Sequence, residues 1–328
     1  MSRSTRRRAA AALLSAAVAA GIGLAGAPSA AADPFPTAWG TQHVGGAILG
    51  TYRALGSQYG PLGLPVSSER VTPDRIGRYN LFQRGAIYWS PATGAHGIWD
   101  GIWGWYALSG YEAGPLGYPT TSQLRTPDGR AAFNGFQHGA IYERTISYPG
   151  GGSYRARPVQ VRGAIFERYG SLGWETGPLG YPTSDELGTP DGRGRFSTFE
   201  NGLIYWTPWT GAHHVRGAVR QGYANHGYEN GPLGYPITDE LPTPDRYGAY
   251  NHFERGSIYW SPQTGAYPIA GSFRDAWAEL GWENSELGFP ASMEYALPQD
   301  PEGRVVQQFE AGWMERFPDG GIDIYVEE

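Results

Sequence analysis

The chain has 328 residues, 40% hydrophobic and 14% aromatic, with 50 glycines, 26 prolines, no cysteine and a formal charge of −6. The lack of cysteine excludes disulfides, thiol catalysis and thiolate metal sites. The acidic balance argues against nucleic acid or anionic lipid as a partner, because binding either needs a basic face.

Taken from the N-terminus, residues 1–32 read as a secretory leader. Arg3, Arg6, Arg7 and Arg8 form the basic start, an apolar segment runs from Ala9 to about Leu24, and Ala30, Ala31 and Ala32 offer a cleavage site before Asp33. The apolar segment is mostly Ala and Gly, which favours a leader over a membrane anchor. Its removal takes away four arginines and no acid, leaving a charge of about −10. The expectation is a secreted chain with no membrane segment after processing, and 33–43 as an N-terminal linker.

From 44 onward the chain repeats itself. The stretch GPLGLP at 60–65 returns as GPLGYP at 114–119, 177–182 and 231–236, and as SELGFP at 285–290. The motif leucines Leu62, Leu116, Leu179, Leu233 and Leu287 are spaced by 54, 63, 54 and 54 residues. Five units follow: 44–97, 98–160 with an insertion near 145–158, 161–214, 215–268, and 269–328 as an atypical C-terminal cap. A fixed period of this kind means an array of small units. The insertion holds Gly150–Gly152 and is the expected bend between the first two units and the rest.

Each unit opens on an apolar pair at i and i+4: Ile48/Tyr52, Ile102/Tyr106, Ile165/Tyr169, Val219/Tyr223 and Phe273/Trp277. That spacing marks one face of a short helix. Gly56, Gly110, Gly173, Gly227 and Gly281 stand where such a helix would end. The motif comes next. Its leucine suits a core. Gly63, Gly117, Gly180, Gly234 and Gly288 allow positive φ. Pro65, Pro119, Pro182, Pro236 and Pro290 force the residue before them to be extended. A Thr-Pro-Asp turn follows at 72–74, 126–128, 189–191 and 243–245. Each unit closes on a β-favouring run such as FQRGAIYWSPATGA (82–95), in which Ile and Trp share one face and Tyr takes the other. Glu143 replaces the Trp in the second unit, and Met314, Glu315 and Arg316 replace Ile-Tyr-Trp in the fifth. The fold expected is mainly β with one short helix per repeat, small α+β units in tandem.

For chemistry, no metal-spaced histidine cluster and no nucleophile elbow is present. Glutamates recur with the repeat: Glu69, Glu186, Glu240 and Glu294 after the motif, and Glu112, Glu175, Glu229 and Glu283 before it. Recurrence favours a local structural job, ahead of accepting sugar hydroxyls and far ahead of the paired-carboxylate work of a glycosidase. Trp89, Trp206 and Trp260, with the motif tyrosines Tyr118, Tyr181 and Tyr235, are flat rings with a polar handle, suited to partly apolar sugar faces. Two readings of these aromatics stand open at this point, core packing and an exposed binding face. The candidate glycan-binding set is these six aromatics with Glu186 and Glu240; no catalytic, cofactor or metal residue is assigned.

The Leu-Gly-aromatic-Pro motif, the 54-residue step and the G-x-Ile-Tyr-Trp-Ser run together resemble the LGFP repeat family. The fifth copy spells the name, Leu287–Gly288–Phe289–Pro290, and the resemblance covers essentially all of the chain after the leader. It implies small β-rich units stacked into an elongated stalk. It also implies an exported, cell-wall-associated, non-catalytic protein that contacts the peptidoglycan–arabinogalactan type of polysaccharide. Several weak sites on one chain would give avidity for such a polymer. The alternatives are a spacer or stalk that binds other envelope proteins or wall enzymes without touching glycan, and, third, a cell-wall hydrolase.

Overall fold

A computed structural model of the chain describes residues 32–244 and 246–327. The leader expected over 1–32 lies outside these residues but for Ala32. The described chain opens with an antiparallel hairpin of β1 (Asp33–Thr37) and β2 (Gly40–Val44). The stretch 33–43 is therefore a paired element, in place of the expected linker.

Five units follow, each a two-turn helix and a small antiparallel sheet in chain order. The first is α1 (Gly46–Ala54) with β3 (Arg70–Val71), β4 (Arg78–Phe82), β5 (Gly85–Ser90) and β6 (Gly94–Trp99). The second is α2 (Asp100–Leu108) with β7 (Leu124–Arg125), β8 (Ala131–Phe136), β9 (Gly139–Ser147), β10 (Ser153–Arg155) and β11 (Val159–Arg162). The third is α3 (Gly163–Ser171) with β12 (Leu187–Gly188), β13 (Arg195–Phe199), β14 (Gly202–Thr207) and β15 (Gly211–Arg216). The fourth is α4 (Gly217–Asn225) with β16 (Leu241–Pro242), β17 (Ala249–Phe253), β18 (Gly256–Ser261) and β19 (Gly265–Ala270). The fifth is α5 (Gly271–Leu280) with β20 (Tyr295–Ala296), β21 (Val305–Phe309), β22 (Gly312–Arg316) and β23 (Ile322–Val326). The mainly β tandem array with one short helix per repeat is what the sequence led us to expect.

A helix of two turns is not stable alone, so packing must hold it. Ile48 and Tyr52, and their counterparts in every unit, are buried. The five motif glycines have φ between 68° and 73°, and this left-handed bend is why glycine stands there. The helix locks the bend. Tyr52, Tyr106, Tyr169 and Tyr223 donate their hydroxyls to the carbonyls of Gly63, Gly117, Gly180 and Gly234 at 2.8–2.9 Å. Trp277 Nε1 does the same to Gly288 at 3.2 Å. The motif leucines are buried, and each motif proline bridges to the phenylalanine that ends the second strand of its unit, as Pro65 does to Phe82.

The Ile-Tyr-Trp strand connects units. Ile87 and Trp89 pack on their own helix, whereas Tyr88 enters the next core beside Ile102 and Tyr106. Tyr142, Tyr205 and Tyr259 likewise enter the cores of the third, fourth and fifth units. Both faces of each inner sheet are thus covered, one by its own helix and one by the next. Among the described residues no unit precedes the first core, and Phe35 of the hairpin stands in. It meets Tyr52 edge-on at 5.4 Å, as Tyr88 meets Tyr106 at 5.5 Å.

Polar contacts run through the same joints. Ser68, Ser122, Asp185 and Asp239 accept the N–H groups of His43, Gly97, Gln160 and His214 at 2.8–3.0 Å. In the last joint Pro268 has no N–H to offer, and Met293 occupies the accepting position. The amides of Asn80, Asn134 and Asn251 each bolt a carbonyl of the preceding strand to one of their own unit, and Gln307 does so in the fifth.

The insertion near 145–158 is not a bend between units. It prolongs the hairpin that joins β9 to β11: β9 runs on to pair with β10, Gly150–Gly152 form the tip, and β11 returns opposite Tyr142. The step from β11 into α3 matches that in the other units. The insertion also explains Glu143, which stands where other units have Trp. Glu143 is buried, and Arg155 of the insertion reaches its carboxylate at 3.0 Å. In the fifth unit Glu315 takes the place of the tyrosine that would enter a next core, and Arg304 and Trp313 Nε1 satisfy it.

Candidate functional site

The motif tyrosines proposed for sugar contact lie inside the protein. Tyr118, Tyr181 and Tyr235 are buried. Each hydroxyl meets the Thr-Pro-Asp turn of the preceding unit: Tyr118 at Thr72 and Asp74, Tyr181 at Thr126 and Asp128, Tyr235 at Thr189 and Asp191. Of the two readings the sequence left open, packing is the one adopted, because the ring completes a joint. Burial pushes Asp74, Asp128 and Asp191 up, but the tyrosine, threonine and backbone hydrogen bonds outweigh it and hold all three below the usual carboxylate range. Arg130 and Arg193 cover two of these rings, 4.8 and 5.1 Å from the centroids of Tyr181 and Tyr235, and pair with Glu200 and Glu254.

The tryptophans are half-buried. Trp89, Trp206 and Trp260 pack against the cores of their own units. Trp206 and Glu186 do meet, in a cleft of about 350 Å³ that also holds His138, Arg162 and Arg195. Glu186 pairs with Arg162 at 3.2 Å, and Glu240 with Arg216 at 3.0 Å. Burial raises both carboxyls against the pull of these arginines. These glutamates already have cationic partners, each of which comes from the preceding unit's last strand.

A different constellation is built four times. At each joint aromatics gather between the outer face of one sheet and the turn after the next helix, and at the third joint they line an open cleft. The first holds Tyr79 stacked on Tyr88 at 5.3 Å, with Trp103 against Tyr111 at 5.3 Å. The second holds Phe133 stacked on Tyr142, with Phe166 against Trp174. The third is a cleft of about 520 Å³ lined by Phe196, Tyr205, Tyr228, Leu187, Pro190 and Arg220. The fourth stacks Tyr250 on Tyr259 at 4.9 Å and Trp282 on Tyr259 at 6.2 Å, with Arg274 5.2 Å over Trp282. Glu112, Glu175, Glu229 and Glu283 follow the outer aromatic in each case. Glu229 accepts the Tyr205 hydroxyl at 2.8 Å, and burial pushes the Glu112 carboxyl up.

The outer aromatics Tyr111, Trp174, Tyr228 and Trp282 have φ of 54–59°, a left-handed backbone that bulky side chains rarely adopt. The first unit has the same backbone at Ser57, followed by Gln58, and among the described residues only the two-stranded hairpin precedes it. An aromatic with an acid thus stands, at a cost in strain, at the four turns that follow a full sheet. The sequence reading noticed the glutamates and passed over the aromatics. The contrast between Ser57–Gln58 and the four aromatic–Glu pairs was the available signal.

Such a groove can stack a ring face and accept hydroxyls. Among the described residues lining the third groove, Glu229 is the sole acid, whereas glycoside hydrolysis uses a facing pair. No group of three or more His, Asp or Glu suited to a metal ion occurs among the described residues. No described helix is long and apolar enough to cross a membrane.

The model of the LGFP repeat family matches this chain at residues 62–114, 116–177, 179–231 and 233–285. No curated protein matches it. Similar solved structures include a point mutant of the TCP10 domain of Danio rerio CPAP, at 11% identity over 79% of this chain and 94% of that one, with a TM-score of 0.18. A periplasmic gluconolactonase of Pseudomonas aeruginosa is similar at 12% identity over 74% and 62%, with a TM-score of 0.13. At such scores neither likeness informs fold or chemistry.

Proposed function

Because the chain belongs to the LGFP repeat family, we propose that it is an exported, non-catalytic repeat protein that associates with cell-envelope polysaccharide through weak contacts made at its four joints. The observation that carries this reading is the fourfold outer aromatic, held in a strained backbone with a carboxylate beside it and lining an open cleft at the third joint. A polymer engaging several such grooves on one chain gains avidity that no single groove supplies.

The test uses the residue that the first unit already carries. Replacing Tyr111, Trp174, Tyr228 and Trp282 by serine copies Ser57 and relieves a left-handed aromatic. The purified chain should be retained on purified wall polymer, and the four-serine variant should not. Loss of one ring should weaken binding about two- to tenfold. Equal retention of parent and four-serine variant would rule out the grooves as the contact.

A second reading is a stalk that binds envelope proteins or wall enzymes and no glycan. The burial of Tyr118, Tyr181 and Tyr235, and of the strand tyrosines, favours it. Failure of the parent chain to be retained on any wall polymer would select it.

A further inference from the structure

The four joints are not alike. At the position of the helix facing the groove, the first two joints carry Trp103 and Phe166, and the last two carry Arg220 and Arg274. Arg274 is engaged, since its Nε donates to Ser257 Oγ at 2.9 Å and its guanidinium covers Trp282. Arg220 has no side-chain hydrogen bond or ion pair among the described residues. Four other arginines of the array are engaged: Arg168 with Asp239, Arg193 with Glu254, Arg216 with Glu240, and Arg255 with the carbonyls of Pro232 and Gly231.

Arg220 also lies where two clefts meet. The groove of about 520 Å³ lies on one side, and a more polar cleft of about 550 Å³, holding Asn201, Arg216 and Gln221, lies on the other; Arg220 and Tyr228 line both. The one acid lining the first cleft already has both carboxylate oxygens engaged. Glu229 has one oxygen on the Tyr205 hydroxyl and the other on Asn230 Nδ2. An unpaired guanidinium on a chain of net charge −6, at the crossing of two clefts and beside an aromatic wall, is a receptor for an oxyanion.

We propose that the joint between the third and fourth units binds an anionic unit of its polymer, a carboxylate or phosphate next to a ring that packs on Tyr228, with Arg220 as the specificity-determining residue. This rests on the polysaccharide reading and adds to it a charge class for one groove of the four. The guanidinium holds the oxyanion through paired N–H donors, and Tyr228 and Phe196 hold the adjoining ring.

The experiment compares the full chain, Arg220→Gln and Arg220→Lys on purified wall polymer. The polymer is used untreated, with its carboxylates amidated by carbodiimide, and with its phosphodiesters cleaved by hydrofluoric acid. Thermal unfolding of each protein checks that the fold is kept. Arg220→Gln should bind the untreated polymer about tenfold more weakly and lose part of its salt dependence. Arg220→Lys should fall between, as it keeps the charge and loses the fork. One of the two treatments should bring the parent chain down to the level of Arg220→Gln and leave that variant unchanged, and which treatment does so identifies the anion. Equal binding by parent and Arg220→Gln, or a ratio that neither treatment alters, overturns the assignment while leaving the polysaccharide reading intact. No retention of the parent on any polymer overturns both.

Discussion

The hydroxyl of Tyr235 lies 2.6 Å from the carboxylate of Asp191 and 2.8 Å from the hydroxyl of Thr189, so the motif of the fourth unit is fastened to the turn of the third. The same clasp joins Tyr118 to Asp74 and Tyr181 to Asp128. A Cβ on Gly194 would lie 2.9 Å from the Tyr235 ring, which is why glycine follows the turn there. Phe289, in the last joint, packs on Gly248 without a hydroxyl, which shows that the ring alone fits the socket.

Tyr235→Phe should therefore keep the fold and lose about 1.5–3 kcal/mol, the range for a hydrogen bond to a charged group. Urea unfolding of parent and variant measures the difference. No change in midpoint would mean that the clasp adds nothing to stability.

The clasps also make the array sensitive to acid. The carboxyls of Asp74, Asp128 and Asp191 sit below the usual range in the folded chain. A group whose folded value is lowered contributes stability above its unfolded value, about 4, and loses it as pH falls through the folded value. Thermal unfolding between pH 6 and pH 2 should show a fall in stability that begins below about pH 4. It should be shallower when Tyr118, Tyr181 and Tyr235 are all phenylalanine.

Glu112 has the opposite sign. Burial raises its carboxyl, so the folded chain is less stable once that carboxyl ionises. Glu112→Gln should be more stable than the parent near pH 7, and the gap should close as pH falls below about 4, where the parent is neutral too. A gap independent of pH would assign the effect to packing.

The amide bolts predict a gain. Ser197 stands where other units carry Asn80, Asn134, Asn251 or Gln307, and its buried hydroxyl has no partner. Ser197→Asn would restore donors to the joint between the second and third units. The asparagines leave their own Oδ1 unpartnered, so one orphan replaces another and the gain is the two N–H bonds, about 1 kcal/mol net. A lower unfolding midpoint would mean that the joint has closed around the serine.

The polar face of the last sheet predicts a single chain in solution. Glu315 and Arg304 make the last sheet polar where an inner sheet would present a tyrosine. Glu315→Tyr would place a ring beside Trp313 and Tyr325 on that open face and promote association, which sedimentation would detect as a shift to larger species.

Much of this architecture was legible because every unit repeats the same local instructions. Leu62, Gly63 and Pro65 define a bend that any unit can form, and Ile48 and Tyr52 define a helix face. The end units were legible as atypical, but the reason for each departure was not. Leu64 stands in place of the aromatic where the hairpin before it carries no Thr-Pro-Asp turn to clasp, Phe35 stands in for a missing tyrosine, and Glu143 needs an arginine from an insertion that the sequence suggested was a bend. Phe35 with Tyr52 and Glu143 with Arg155 are pairings between separate segments, which no repeated pattern encodes.

By itself the sequence determined the unit, its period, its helix face and its bend, since these rest on backbone preferences and on contacts within about a dozen residues. Tertiary structure alone decided which side of each aromatic remained open. Alternation on a strand separates Tyr88 from Ile87 and Trp89, but both faces are buried, because a sheet between two helices has no free side. That packing moved Tyr118, Tyr181 and Tyr235 into the joints and left the grooves, with Tyr228 and Arg220, as the surface on which a partner can act.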